Sequence, residues 1–409
     1  MLDIRVKNMA NVPQHILMIA FDFPPRGGSG VERTLKFARF LSSFGWKPVV
    51  LTVNESTHGD FVDHSNQLEN DIIVERTFCL DASRHLAFRG RHFEFSKKPD
   101  RYWGWAFTAV PKAMSLIKQY DIKCLWSTYP VMTSHIIGYV LNKLTKLPWI
   151  ADYRDPLQCY YDELVYNNSK AARFFDKLVV ENTTKLVFVT NNALSLYANI
   201  YGARVLEKST VIENGFDSKN LGALSRTLEN DKFVLFHGGS LYETGRQPQV
   251  LFDALKLLKV KLGKDFDKVK LNLLGAHNQQ FNKVRAEQLE ISQAVEFKSQ
   301  QPYQQCLQAM LNADVLVVIQ GQVFDNQIPG KIYEYLNTDL PIVVVTPNNS
   351  ATDVLVKEFP GVLSSEDPTE IAVFLVRAFT EKIRYVRDTE KLERRERTQE
   401  LAQLLDSCV

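Results

Sequence analysis

The segment Pro329-Gly330-Lys331-Ile332-Tyr333-Glu334-Tyr335-Leu336 follows an apolar run, Val315 to Ile319, and a polar loop that ends at Ile328. Its residue types suit a clamp for phosphate and ribose. Pro and Gly set the backbone at a helix start, where unpaired amides and the positive end of the dipole favour an anion such as a diphosphate. Lys331 adds a mobile positive charge, and Glu334, three residues on, projects from the same helix face. Its carboxylate can accept hydrogen bonds from a ribose diol. Read alone, the segment is equally a capped amphipathic helix with a Lys-Glu pair at i,i+3.

A second loop with chemical potential runs from Phe21 to Arg33, where Pro24 and Pro25 precede Gly27, Gly28 and Gly30. Glycines after a strand let a substrate approach the backbone closely, although a tight turn without ligand uses them too. Neither loop is a common nucleotide fingerprint. The run Gly27-Gly28-Ser29-Gly30 lacks the G-x-G-x-x-G spacing, and Gly330-Lys331-Ile332 lacks the Ser or Thr and the upstream Gly of a Walker A loop.

The elements that must hold these loops read as short β-branched runs alternating with helical patterns. Ile16 to Ala20, Pro48 to Val53, Ile72 to Val74, Cys124 to Ser127, Trp149 to Asp152, Leu186 to Thr190 and Thr210 to Ile212 form a first strand series. Phe233 to His237, Val269 to Leu274, Val295 to Phe297, Val315 to Ile319 and Ile342 to Val345 form a second. Amphipathic segments such as Glu32 to Phe44, Gln249 to Lys261 and Gln304 to Asn312 lie between them. Such alternation implies parallel sheets, and two series predict an α/β protein of two doubly wound, Rossmann-like domains with ligands at the carboxyl ends of the strands. The expected divisions are 1–208, 209–380 and a closing helix over 381–409 that lies outside the core. The boundary is marked by the Gly turn at Glu213 to Asp217 and the polar stretch Ser218 to Asp231.

Composition narrows the function classes. A chain of 409 residues exceeds what one core organises. With 49 basic and 47 acidic residues, the net charge of +2 exerts no global pull toward nucleic acid. The cysteines Cys79, Cys124, Cys159, Cys306 and Cys408 are odd in number and scattered without a C-x-x-C pair, so neither a disulfide framework nor a zinc site is expected. No apolar h-region precedes Pro13, and no run approaches about 18 apolar residues. A cytoplasmic chain, neither secreted nor membrane-spanning, is the expectation.

These features occur together and in order, and the chain resembles the retaining glycosyltransferases of the GT-B fold, family 4. The likeness is carried by the Pro-Pro/Gly-Gly loop at Pro24 to Gly30, by Asp152-Tyr153-Arg154-Asp155-Pro156 and by Thr190-Asn191. It continues through Asn214 to Asp217, His237-Gly238, the Tyr-x-x-Gly-Arg-x-Pro stretch at Tyr242 to Pro248, and Pro329 to Tyr335. The resemblance spans roughly residues 13 to 405 and implies two domains facing a cleft. By it, the C-terminal half binds a UDP- or GDP-linked sugar, with Arg246 and Lys331 on the diphosphate and Glu334 on the ribose. Cations, together with backbone amides at Gly238, Gly239 and Gly330, could stabilise the leaving diphosphate without a metal or other cofactor. Arg246 is also readable as an ordinary surface arginine.

The N-terminal half would bind the acceptor, with Gly27 and Gly28 beside the transferred sugar. Asp152 and Asp155, flanking Arg154 at a strand end, could orient or deprotonate an acceptor hydroxyl, or form a turn and a salt bridge. His135 is a further catalytic candidate, or a packed helix-start histidine. Two positions depart from the family pattern. Asn326 stands eight residues before Glu334, where the broader family carries a second Glu near the donor sugar, and Ser127-Thr128-Tyr129-Pro130 replaces a turn in which some members place a His. Retention of configuration is implied by the resemblance, with the donor phosphate as proton acceptor.

One local surface stands out. From Arg84 to Trp105, the cations Arg84, Arg89, Arg91, Lys97, Lys98 and Arg101 interleave with Phe88, Phe93, Phe95, Tyr102, Trp103 and Trp105. The mixture suits an anionic membrane and hence a glycan or lipid-linked acceptor at the inner face of the cell membrane, or a loop whose aromatics fold into the core. The near-neutral chain disfavours a nucleic-acid partner. Two rivals to transfer stand: a nucleotide-sugar epimerase of the same architecture, and a non-catalytic relative that binds nucleotide or glycan.

Overall fold

The computed structural model describes residues 13–58, 72–86, 97–157, 170–218, 224–227, 231–241, 244–276 and 279–409. Thirteen strands, among the described residues, divide between two sheets. The first contains β1 (Gln14–Ile19), β2 (Trp46–Val53), β3 (Ile73–Thr77), β4 (Ile122–Thr128), β5 (Trp149–Tyr153), β6 (Lys185–Phe188) and β7 (Ser209–Val211). Their order is β3-β2-β1-β4-β5-β6-β7. The second contains β8 (Phe233–Gly238), β9 (Val269–Leu274), β10 (Val295–Lys298), β11 (Val315–Ile319), β12 (Ile342–Val345) and β13 (Val362–Ser364), in the order β10-β9-β8-β11-β12-β13. Every named pairing is parallel, as in Ile16↔Pro48 and Ile16↔Cys124 around β1.

Helices cover both faces of each sheet, which is why the strands read as continuous apolar runs. Along β1, Leu17 and Ile19 enter one core while Ile16 and Met18 enter the opposite one. Along β11, Val315, Val317 and Ile319 face one side while Leu316 and Val318 face the other. This period of two places a full hydrophobic layer on each face.

Strand order reverses between β1 and β4 in the first sheet and between β8 and β11 in the second. Crevices of doubly wound sheets open at such points, beyond the carboxyl ends of the strands. The loops Phe21 to Gly30, Ser127 to Pro130, Gly238-Gly239 and Gln320 to Gly330 all emerge there.

Two expectations about organisation are corrected. β7 pairs with β6, so the first domain runs past residue 208 to at least Val211. The closing helix, Arg394–Asp406, belongs to a core: Leu401, Ala402, Leu404 and Leu405 pack with Ile16, Met18, Leu35 and Trp126 of the first domain. Trp46 Nε1 donates to Asp406 Oδ1 at 2.8 Å. The chain therefore crosses between domains twice, and the crossings lie side by side. Phe216 N donates to the Leu392 carbonyl at 3.1 Å, and Arg394 N donates to the Phe216 carbonyl at 2.8 Å. A Cβ on Gly215 would collide with the Leu392 carbonyl, so glycine permits this contact.

Candidate functional site

In the second domain the residues expected to form the clamp gather where β8 and β11 end. Gly239 has φ +142, a conformation that glycine tolerates, and the Lys331 ammonium lies against its Cα. Lys331 opens the helix Lys331–Leu336, which also carries Glu334. That helix has six residues, too few peptide units to build a strong macrodipole, so anion affinity must come chiefly from side-chain cations. Arg246 enters from the loop after β8, its guanidinium stacked 4.5 Å over the Phe324 ring. Gly321 N donates to the Gly245 carbonyl at 2.6 Å, joining the two loops.

Half-buried Lys331 has its pKa lowered to about 7, mainly by desolvation and then by the Arg246 charge, with Cys306 and Glu334 acting in the opposite direction. Glu334 Oε1 accepts the Tyr303 hydroxyl at 2.6 Å. Burial raises the Glu334 pKa, and the Tyr303 bond and the Arg394 charge partly offset that rise. His237, fully enclosed at the end of β8, has its Nδ1 3.0 Å from the Val317 carbonyl, so Nδ1 carries the proton. Burial and the Lys331 charge push its pKa well below the ordinary value, which keeps it neutral. Tyr303 and Phe324 were not singled out from sequence, and Tyr335 entered only as the last residue of the Pro329 to Tyr335 motif. The first two are ordinary core-type aromatics whose positions in the chain carry no signal of a site.

The amides expected to line the clamp are otherwise engaged. Gly238 N donates to the Tyr335 hydroxyl at 3.0 Å, and Gly239 N donates to the Leu274 carbonyl at 2.7 Å. Both glycines shape the floor, but their N–H groups complete the protein's own bonding. Gly330 has an ordinary helical φ of −53, and a Cβ built there meets open space. Neither its backbone nor its packing requires glycine.

In the first domain the structure separates the candidates. Asp152 is 0% exposed and held by a fork from Arg33, Nη2 to Oδ1 at 2.7 Å and Nε to Oδ2 at 3.0 Å. Thr128 Oγ1 adds a bond to Oδ2 at 3.0 Å. Arg33 also donates to the Ile212 and Glu213 carbonyls, both at 2.9 Å. Asp152 is thus corrected from catalytic candidate to anchor of the helix Ser29–Leu41 and the linker after β7, because its acceptor sites are filled by a buried cation. From sequence, Arg33 was named only as the end of the Phe21 to Arg33 loop.

His135 is also 0% exposed and does not reach the cleft. Trp149 Nε1 donates to Ser127 Oγ at 2.8 Å, which leaves the Ser127 hydroxyl to donate to His135 Nδ1 at 2.8 Å. Burial lowers the His135 pKa to about 3. The ring packs on Tyr153, with centroids 4.9 Å apart, as a neutral core residue.

Asp155 remains half-buried in the loop after β5. Its neighbour Arg154 reaches across to the Gly loop, donating to the Gly30 carbonyl and approaching Asp22 at 3.8 Å. Gly28 is exposed with φ 103, again a glycine conformation, and Gly27 is buried beside it. The two domains meet where Thr190 Oγ1 donates to the Asn326 carbonyl at 2.6 Å. Among the described residues no three His, Cys, Asp or Glu side chains converge as a metal site.

Residues 224–402 match the family model described as Glycosyl transferases group 1. The matched stretch includes Arg246, Asn326, Lys331 and Glu334. A search of curated protein sequences gives no match. Among solved structures, sucrose-phosphate synthase from Thermosynechococcus elongatus superposes with TM-score 0.61 at 13% identity, covering 96% of this chain and 94% of that one. Anabaena HepE in complex with UDP-glucose gives TM-score 0.59 at 14% identity, covering 96% and 98%. UDP-GlcNAc 2-epimerase from Methanocaldococcus jannaschii gives TM-score 0.56 at 10% identity, covering 96% and 100%. At these identities the likeness is one of fold: two parallel-sheet α/β domains in the GT-B arrangement. With the glycosyl-transferases match over the second domain, it supports a glycosyltransferase.

Of the surface from Arg84 to Trp105, Phe88, Arg89, Arg91, Phe93 and Phe95 lie outside the described residues. Trp105 is buried and donates Nε1 to Thr77 Oγ1 at 2.8 Å. Phe107 is 72% exposed, with Phe78 and Leu86 also outward. Arg101 pairs with Asp81, and Arg84 approaches the same carboxylate at 3.9 Å. No described helix is long and apolar enough to cross a membrane.

Proposed function

We propose that this protein transfers a sugar from a UDP- or GDP-linked donor to a glycan or lipid-linked saccharide, with retention of configuration as in family 4. The observation that carries the reading is the meeting of two cations, Lys331 and Arg246, from separate loops at the β8/β11 switch point, with Glu334 on the same short helix as Lys331. Two positive charges brought together in a partly desolvated place suit a polyanion, which contacts both at once. A nucleotide diphosphate is such an anion. Glu334 then accepts from the ribose diol.

In the chemical step the acceptor oxygen bonds to the anomeric carbon while the bond from that carbon to the diphosphate oxygen breaks. Negative charge grows on the leaving diphosphate, where Lys331 and Arg246 stabilise it, so the charge requirement is met by side chains without a metal. The acceptor proton passes to a donor phosphate oxygen. Asp155, at the cleft end of β5, orients the acceptor hydroxyl. Asn326 offers amide hydrogen bonds near the donor sugar. The exposed Phe78, Leu86 and Phe107, with Arg84 and Arg101 nearby, suit peripheral contact with the anionic inner face of the cell membrane.

The test is a thermal-shift screen of nucleoside diphosphates and their sugars, followed by turnover with candidate acceptors. A shift selective for UDP or GDP and lost in Lys331→Ala supports the donor clamp. Conversion of free donor without acceptor would instead favour epimerisation, and binding without turnover under any acceptor would favour a binding protein.

A further inference from the structure

Among the described residues, two cations at the loop after β1 are ion-paired to a single carboxylate. Asp22 takes Arg26 at 3.0 Å and Arg154 at 3.8 Å, so two guanidinia share one carboxylate. Arg26 is 31% exposed and Arg154 only 12%. Nearby Arg76 does not change the balance, because it has its own carboxylate in Glu55 at 3.7 Å and donates to the Val53 and Pro24 carbonyls. His58 adds no charge: burial and the Arg26 charge lower its pKa to about 4, and both its ring nitrogens are buried without a partner.

The arrangement is built into the backbone. A Cβ on Gly30 would lie 2.9 Å from Asp22 Oδ2 and 3.2 Å from Arg154 Nη2, so glycine lets the helix start rest on the pair. Arg26 directly precedes Gly27 and Gly28, at the switch point between β1 and β4. A phosphate or carboxylate binds arginine forks in two-pronged, charge-assisted fashion, which a neutral hydroxyl cannot match. The donor diphosphate has cations of its own on the opposite domain, so this pair faces the other substrate.

We infer that Arg26 and Arg154 form an anion seat, and that the acceptor carries a phosphate or carboxylate within reach of the Gly27-Gly28 loop. The inference rests on the transferase reading above. A soluble sugar phosphate or uronic acid and the phosphate linking a saccharide to a lipid share this chemistry.

Saturation-transfer NMR on the UDP-saturated protein with glycerol phosphate, glucuronate and glucose tests it, alongside co-sedimentation with phosphatidylcholine vesicles with and without dodecyl phosphate. The expected result is signal from one or both anionic probes but not from glucose. Arg26→Gln should weaken those probes about tenfold while UDP affinity holds, and Arg26→Lys should retain part of the binding. Retention by dodecyl phosphate vesicles alone, lost in Arg26→Gln, assigns the anion to a lipid. Equal signals from glucose and the anions, an Arg26→Gln protein that binds them unchanged, or no binding to either soluble or vesicle probes overturns the seat alone. Loss of UDP affinity in Arg26→Gln overturns it by giving the arginine to the donor. Failure of the wild-type protein to bind UDP or GDP removes the donor reading, and the seat as an acceptor site goes with it.

Discussion

Lys331 lies half-buried against Gly239 and beside Arg246, and its pKa of about 7 makes its charge depend on pH within the working range. An anionic donor favours the protonated lysine and so raises its pKa in the complex. Affinity for a UDP-sugar, whose diphosphate does not titrate near neutrality, should be highest below about pH 7 and fall as pH rises through the free-protein pKa. Calorimetric titration from about pH 6 to about pH 9 measures the slope, and Lys331→Arg, charged throughout, should flatten it. A slope that persists in Lys331→Arg assigns the effect to another group. Lys331→Ala and Arg246→Ala should each weaken UDP by about tenfold or more and leave uridine nearly unaffected. Equal losses for both ligands would count against phosphate contacts. That Lys331 and Glu334 share one helix was readable because their spacing of three is local. The fate of Asp152 was not, since its partner Arg33 stands 119 residues away.

At the scale of elements, the helix Ser29–Leu41 is held to the first sheet and the linker by Arg33, and Lys36 pairs with Asp217 at 2.5 Å. Breaking a buried pair leaves an uncompensated charge, so Asp152→Ala should destabilise the first domain by about 3–5 kcal/mol. Urea denaturation followed by tryptophan fluorescence reports that loss. A variant of normal stability with abolished turnover would restore Asp152 to the catalytic candidates. Strand prediction succeeded where the apolar residues are buried: Val315–Ile319 and Ile342–Val345, buried throughout, and Val269–Leu274, buried at alternate positions, occupy the predicted bounds. It missed β13, since Val362–Ser364 is short, half-buried and has no apolar run to announce it. His135 shows the same limit from the other side. A histidine on the first turn of the helix Met132–Thr145 has identical sequence context whether it points to the cleft or, as here, to Trp149 and Tyr153.

For the whole molecule, the return of the C-terminal helix to the first domain means that neither domain ends where the chain first leaves it. Truncation after Leu392 removes Leu401, Leu404 and Leu405 from the first core and uncovers Trp46. Burial of a leucine side chain contributes about 1.5–3 kcal/mol, so the truncated protein should lose most of the first domain's stability. Its melting temperature and solubility should fall, while the second domain keeps its donor response. Unchanged melting would show that the helix only rests on the surface. Across the cleft, Thr190 both caps the helix Asn191–Tyr201, accepting from Ala193 N at 3.0 Å, and donates to Asn326. Thr190→Val removes the bridge, and small-angle scattering should then show a larger radius of gyration without donor that contracts when UDP is added.

The sequence by itself determined the two strand series, the parallel sheets and the glycine-bearing loops at the carboxyl ends of the strands, because burial on both faces writes apolar runs into the chain and glycine marks strained or crowded backbone. It also placed Lys331 and Glu334 on one helix through local spacing. Only the tertiary structure decided which polar groups remain for a ligand. Asp152 is filled by Arg33, the Gly238 amide by Tyr335 and the Gly239 amide by Leu274, whereas Arg26 and Arg154 share a single carboxylate. Those assignments depend on partners brought together from distant points in the chain, and hydrogen bonding and charge pairing act over a few ångströms in space, whatever the separation in sequence.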